Sequence, residues 1–180
     1  SNEASLKYYL LGVFASAVML YGMSLLYGTT KTTLLSGIAE SIRYQGVGSA
    51  TALGIVFVLI GFAFKVSAVP FHQWAPDTYE GAPTPITAFL SVASKAAGFV
   101  ALMTLVYVGF PDGIDVWKPL FWVLAVITMT VGNVLALKQT NIVRMLAYSS
   151  VSQGGFILMP LAVAWKHTSD GLVVNRDSLT

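Results

Sequence analysis

Cysteine is absent from all 180 residues. That excludes disulfides, thiolate metal sites and CxxC redox chemistry. Charge is scarce too: Asp, Glu, Lys and Arg make up 10% of the chain, against roughly 25% in soluble domains. The formal net charge is only +2, and no basic block suggests a nucleic-acid partner. The two histidines, His72 and His167, are too few for a haem pair and any further role. The N-terminal residues show no charged region and no small-residue cleavage site, so no signal peptide is expected. A first residue of serine in place of methionine reads as a piece of a longer polypeptide. There is no strict internal repeat and no low-complexity stretch.

What fills the chain is apolar: 56% of its residues are hydrophobic and the mean hydropathy is +0.73. Such a chain cannot cover a water-facing surface, so the lipid bilayer is its expected solvent. The expected fold is all-α, a polytopic transmembrane helical bundle with five spanning segments over 1–164. The spans fall at about 6–27, 50–77, 86–108, 119–137 and 142–163, each near the roughly 20 residues that a helix needs to cross a bilayer. The second is expected to be discontinuous between Lys65 and Pro70. Residues 28–49 read as a polar connection and 165–180 as a polar tail. Lysine and arginine are too evenly spread to set the orientation.

Polar residues inside these runs are the candidate site. Lys65 lies in the last third of its run and Lys95 near the middle of the next. Cations at membrane depth are costly and mark functional sites by default. For Lys65 the competing account is snorkelling of the long stem to the interface. Pro70 weighs against it, because it removes a backbone donor and breaks the helix. Freed backbone groups at that depth survive only where protein or water satisfies them, and broken helices mark ion sites in transporters. If helical phase carried through the break, His72 would share a face with Lys65. Thr87, Ser91 and Lys95 repeat every fourth residue, a polar stripe expected to face protein. For Lys95 the alternative is structural pairing with a carboxylate. Arg144, Tyr148 and Ser152 form a second four-residue repeat, suited to packing or to proton transfer. Glu3 and Lys7 are placed for an i, i+4 pair, either at the surface or as a relay element. Asp77 and Glu80 are expected to cap the helix starting near Ile86. Thr128, Thr130 and Asn133 suit hydrogen bonding between helices.

Three stretches carry a resemblance. Phe64-Lys65-Val66-Ser67-Ala68-Val69-Pro70-Phe71-His72-Gln73-Trp74-Ala75-Pro76-Asp77, continued through Glu80-Gly81-Ala82-Pro83-Thr84-Pro85, resembles the signature of the antiporter-like membrane subunits of respiratory complex I. Ser94-Lys95-Ala96-Ala97 resembles the N-type among them, and so does the opening Asn2-Glu3-Ala4-Ser5-Leu6-Lys7-Tyr8-Tyr9. Leu137-Lys138-Gln139-Thr140-Asn141-Ile142-Val143-Arg144 is similar to the entry into the family's tenth helix. The resemblance covers about residues 1–163 and implies the sixth to tenth helices of a fourteen-helix subunit, the seventh discontinuous. It implies that Lys65 and Lys95 are the lysines of helices seven and eight, held to translocate protons along a hydrated axis. A helix-five glutamate and a helix-twelve lysine, which complete that path in the family, are not in this chain.

The resemblance further implies sister antiporter-like chains and other complex I membrane subunits as partners. No cofactor is expected in this chain; NADH, FMN, iron–sulfur clusters and quinone would belong to partner subunits. The expected location is a bacterial plasma membrane or mitochondrial inner membrane, with a thylakoid-type relative as a variant. Two other functions stay open: a subunit of a related cation/proton antiporter or membrane hydrogenase, and a non-pumping scaffold whose lysines hold helices together.

Overall fold

The computed structural model describes residues 2–163, together with the backbone of 165–168 and 171–174. Helix α1 (Asn2–Thr30) is apolar on every side, as a lipid-immersed helix is. It ends at Lys31, whose φ is +57°, with the Thr30 hydroxyl donating to the Leu26 carbonyl at 2.8 Å. Residues 28–49, expected as a connection, contain a helix, α2 (Leu35–Gln45). Its buried Ile38 and Ile42 lie one turn apart. This single apolar stripe is too narrow to register in a hydropathy run but wide enough to bury one face. It stops at Gly46, at φ +73°.

Helix α3 (Ser49–Lys65) is 17 residues long, about 25 Å at 1.5 Å per residue. It lies against α1 at a backbone-to-backbone approach. A Cβ on Gly22 would stand 2.8 Å from the Gly54 carbonyl oxygen, so only glycine allows this contact. Small residues serve this purpose between membrane helices, where apolar lipid supplies no hydrophobic drive for association. After the break comes the short helix α4 (Trp74–Gly81).

The third span, Thr84–Gly109, is composite. Helix α5 (Thr84–Phe89) leads into a π-helical turn, Leu90–Ser94, then helix α6 (Lys95–Thr104), then a second π-turn, Leu105–Gly109. Helix α7 (Ile114–Leu137) begins ahead of the apolar run, so Lys118 and Pro119 lie within it. Its start is anchored by fully buried Trp117, which donates from Nε1 to the Phe110 carbonyl at 2.8 Å. Helix α8 (Ile142–Val163) packs along α7. Strands β1 (Trp165–Thr168) and β2 (Gly171–Val174) form an antiparallel hairpin in the stretch read as a polar tail, with Trp165 opposite Val174.

The core gathers Ile55, Leu59, Phe99, Leu102, Trp117 and Phe121 from α3, α6 and α7. Among the described residues four helices are long and apolar enough to cross a membrane, and α3 is a shorter apolar helix. Through residue 163 this is an all-α integral-membrane bundle, with the hairpin following it. Its outer surface is apolar, with Phe14, Leu20, Phe89, Val92 and Trp122 all exposed.

A broken helix flanked by two lysines

Helix α3 ends because residues 66–70 cannot continue it. Pro70 carries no N–H, and the Val69–Pro70 peptide is cis. Ser67 adopts φ +55°, a left-handed conformation unfavourable for a residue with a Cβ. A break at membrane depth leaves backbone groups that must find partners, and each of the following does. The Ala68 N–H reaches back to the Ala63 carbonyl at 2.8 Å, and the Ser67 N–H to Phe64 at 3.0 Å. The Phe64 carbonyl also accepts Trp74 Nε1–H at 2.9 Å. The Val69 N–H donates to the hydroxyl of Thr128, a fully buried residue of α7, at 3.0 Å. Gly154 on α8 presents no side chain to the Val66 carbonyl; a Cβ there would sit 3.4 Å from that oxygen.

Lys65 stands at the last position of α3. The chain does not bury it: the side chain is exposed and lines a cleft of about 700 Å³ along α1, with Tyr8, Gly12 and Phe64. Its stem lies over Gly98, whose Cβ, if present, would be 3.2 Å from Lys65 Cγ. Gly98 is three residues beyond Lys95 on α6, hence on the same helix face. The break therefore lays the stem of one lysine along the helix face that carries the other.

Lys95 is buried, 6% exposed. Its Nζ donates to two oxygens of one residue, the Ser150 carbonyl and the Ser150 hydroxyl, both at 2.9 Å. Among the described residues neither lysine has a carboxylate within ion-pair distance. The expected stripe does not form a hydrogen-bonded chain to Lys95. Thr87 donates to the Tyr79 carbonyl at 3.1 Å and Ser91 to that of Ala88 at 2.9 Å. The π-turn Leu90–Ser94 contains Ser91 and separates Thr87 from Lys95, shifting the helical phase on which the four-residue spacing relied.

Because α3 stops at Lys65, helical phase does not relate that residue to His72. His72 is instead buried within the break, 8% exposed, with its ring 6.1 Å from that of Tyr148 on α8. Ser152, one turn further along, is 1% exposed against Gly132 of α7. Its hydroxyl has no hydrogen-bond partner among the described residues.

Glu3 and Lys7 do pair, at 2.7 Å, on the exposed side of α1. Lys7 also reaches Asp77 of α4 at 2.9 Å. Arg144 of α8 bridges Asp77 at 2.7 Å and Glu80 at 2.8 Å. Asp77 and Glu80 thus do not cap the following helix. They sit one turn apart on α4 and fasten it to the starts of α1 and α8, around a cleft of about 360 Å³. Thr128, Trp74 and Ser150, which hold the break and Lys95, escaped reading as site residues. Thr128 and Ser150 make their contacts 59 and 55 residues away in sequence, for which hydropathy carries no signal, and Trp74 reaches back ten residues across the break.

Comparison with known proteins gives the chain its relatives. It is 54% identical over 159 residues to "NADH-quinone oxidoreductase subunit N" of Moorella thermoacetica, an alignment covering 88% of this chain and 33% of that protein. Among solved structures it resembles a chain of respiratory complex I from Thermus thermophilus, with a TM-score of 0.75 and 38% identity over 88% of this chain and 34% of that one. It also resembles a chain of the membrane-bound sulfane sulfur reductase, an archaeal respiratory membrane complex, with a TM-score of 0.82 and 32% identity over 93% of this chain and 34% of that one. The chain spans about a third of the length of the curated relatives it matches. Residues 1–174 match the family described as NADH:quinone oxidoreductase/Mrp antiporter, transmembrane, and the chain belongs to that family.

Proposed function

We propose that this chain is part of a proton-translocating membrane subunit of an NADH:quinone oxidoreductase, moving protons by way of Lys65 and Lys95 while quinone is reduced elsewhere. The observation that carries this reading is Lys95. It is an amine buried at mid-span, held by a serine and not by an acid, on the same helix face as the stem of a second lysine at a helix break. Desolvation weakens an ammonium's hold on its proton, and a neighbouring carboxylate restores it. An amine without a paired acid is therefore suited to exchange. In a transfer between the two lysines, an N–H bond breaks at one ammonium and forms at the other amine, so the charge moves with the proton.

His72, buried within the break, faces Tyr148 of α8, with Ser152 one turn further along, and these three are assigned to the supporting polar path. Glu3 and Lys7 belong to the ion network that holds α4 and serve the route by positioning. Redox chemistry with NADH, FMN, iron–sulfur clusters and quinone is assigned to partner subunits, with sister antiporter-like chains beside this one in the bilayer.

The test is Lys95→Ala and Lys65→Ala in the complete complex, with proton translocation measured per electron pair in sealed vesicles. Loss of pumping in assembled complex is the expected result. Unchanged coupling in both variants would leave a scaffold role and end this proposal. The family description, which names an antiporter beside the oxidoreductase, favours a second reading, cation/proton exchange; transport that depends on sodium would select it.

A further inference from the structure

The partner of Lys95 is unusual in kind. A buried ammonium is ordinarily paired with an acid or neutralised. Here Nζ donates to both oxygens of Ser150, at 2.9 Å each, with no ion pair among the described residues. Both oxygens belong to one residue of α8, four residues before Gly154, where the helix backs onto the broken segment.

We infer that Ser150 is a positioning residue that holds the Lys95 amine in place in both of its protonation states. This rests on the reading of Lys95 as a proton carrier. The chemistry follows from the donor and acceptor inventories. A charged lysine has three donors and no acceptor, whereas a hydroxyl is both donor and acceptor. With Lys95 charged, the Ser150 carbonyl and hydroxyl oxygens each accept an N–H. With Lys95 neutral, one N–H still goes to the carbonyl, and the hydroxyl turns to donate to the nitrogen lone pair. No covalent bond at Ser150 changes, and Nζ need not move. A carboxylate at this position would satisfy only the charged state, favouring it by a factor of about ten or more. An alanine would leave the carbonyl alone.

The complete complex with Ser150→Thr, Ser150→Asn, Ser150→Asp and Ser150→Ala separates this from a packing role. Pumping per electron pair is measured in sealed vesicles and normalised to assembled complex. Asn and Asp are isosteric, but only Asn both donates and accepts. Thr and Asn are expected to retain pumping within about twofold, and Asp to lose about tenfold or more, with Ala between them. Equal pumping by the Asn and Asp variants, whether both high or both lost, overturns the inference. So does equal pumping by Thr and Ala. Lys95→Ala is run alongside. If it abolishes pumping while the serine variants do not sort by chemistry, only the role of Ser150 falls. If it pumps normally, the proton-carrier reading falls with it.

Discussion

Thr128→Val removes one hydroxyl and little volume at a fully buried position of α7. That hydroxyl accepts the Val69 N–H at 3.0 Å, inside the break between Lys65 and Pro70. Valine cannot accept a hydrogen bond, and no water-facing route is open to a donor at a residue only 6% exposed. An orphaned buried donor costs about 1–3 kcal/mol. Local opening of the segment should then become roughly 5- to 150-fold easier, since 1.4 kcal/mol is about tenfold in an equilibrium. Hydrogen exchange at the Val69 amide, read by mass spectrometry on the assembled complex in lipid nanodiscs, reports that opening directly. The expected result is exchange faster by that factor in peptides covering 66–73, with α1 unaffected. Thr128→Ser keeps the acceptor and should stay close to wild type. Wild-type protection of Val69 in assembled Thr128→Val complex would refute the reasoning. It would mean that the break is held without the Thr128 bond and that α7 does not position Lys65 through it.

Two further outcomes follow from contacts elsewhere in the bundle. A Cβ on Gly132 would meet the Ser152 backbone nitrogen at 2.8 Å, whereas one on Gly28 would meet nothing within 4 Å. Gly132→Ala should therefore lower the thermal midpoint of the purified complex, at a cost of about 1–3 kcal/mol for forcing two helices apart, and Gly28→Ala should not; equal midpoints would contradict the packing. In the ion network, Asp77 is the shared acid. It is 22% exposed and contacts both Lys7 and Arg144, while Glu3 is 75% exposed. Asp77→Asn is expected to cost up to roughly 2 kcal/mol, about 1 at most for each of two partly exposed pairs, and to become milder at high salt, with Glu3→Gln leaving the midpoint unchanged. The reverse order would show that α4 is not fastened by this network.

The parts of the fold that could be read ahead of the coordinates share one property: they depend on neighbours in sequence. The four long spans follow from runs of apolar residues, the break from Pro70, and the Glu3–Lys7 pair from its four-residue spacing. Helix α2 was missed because two isoleucines bury it without raising average hydropathy. Thr87 and Ser91 bond to Tyr79 and Ala88 and not to Lys95, since the four-residue spacing assumes α-helical phase, which the π-turn at 90–94 interrupts. The capping assigned to Asp77 and Glu80 was displaced by Lys7 and Arg144, whose full positive charges outbid the partial charge of a helix terminus.

Composition and spacing alone commit this chain to a membrane, to helices, to a break after Lys65 and to two lysines within apolar runs. That holds because the bilayer penalises exposed polar backbone and charge wherever they occur along the chain. Which atoms meet Lys95 and the opened backbone was settled by packing across 55 or more residues: Ser150 beneath Lys95, and Thr128 beneath the Val69 N–H. Contacts of that range depend on how α7 and α8 lie against α3 and α6. A one-turn slip of α7 would preserve every local pattern and abolish the Thr128 bond, and the same slip of α8 would abolish those of Ser150.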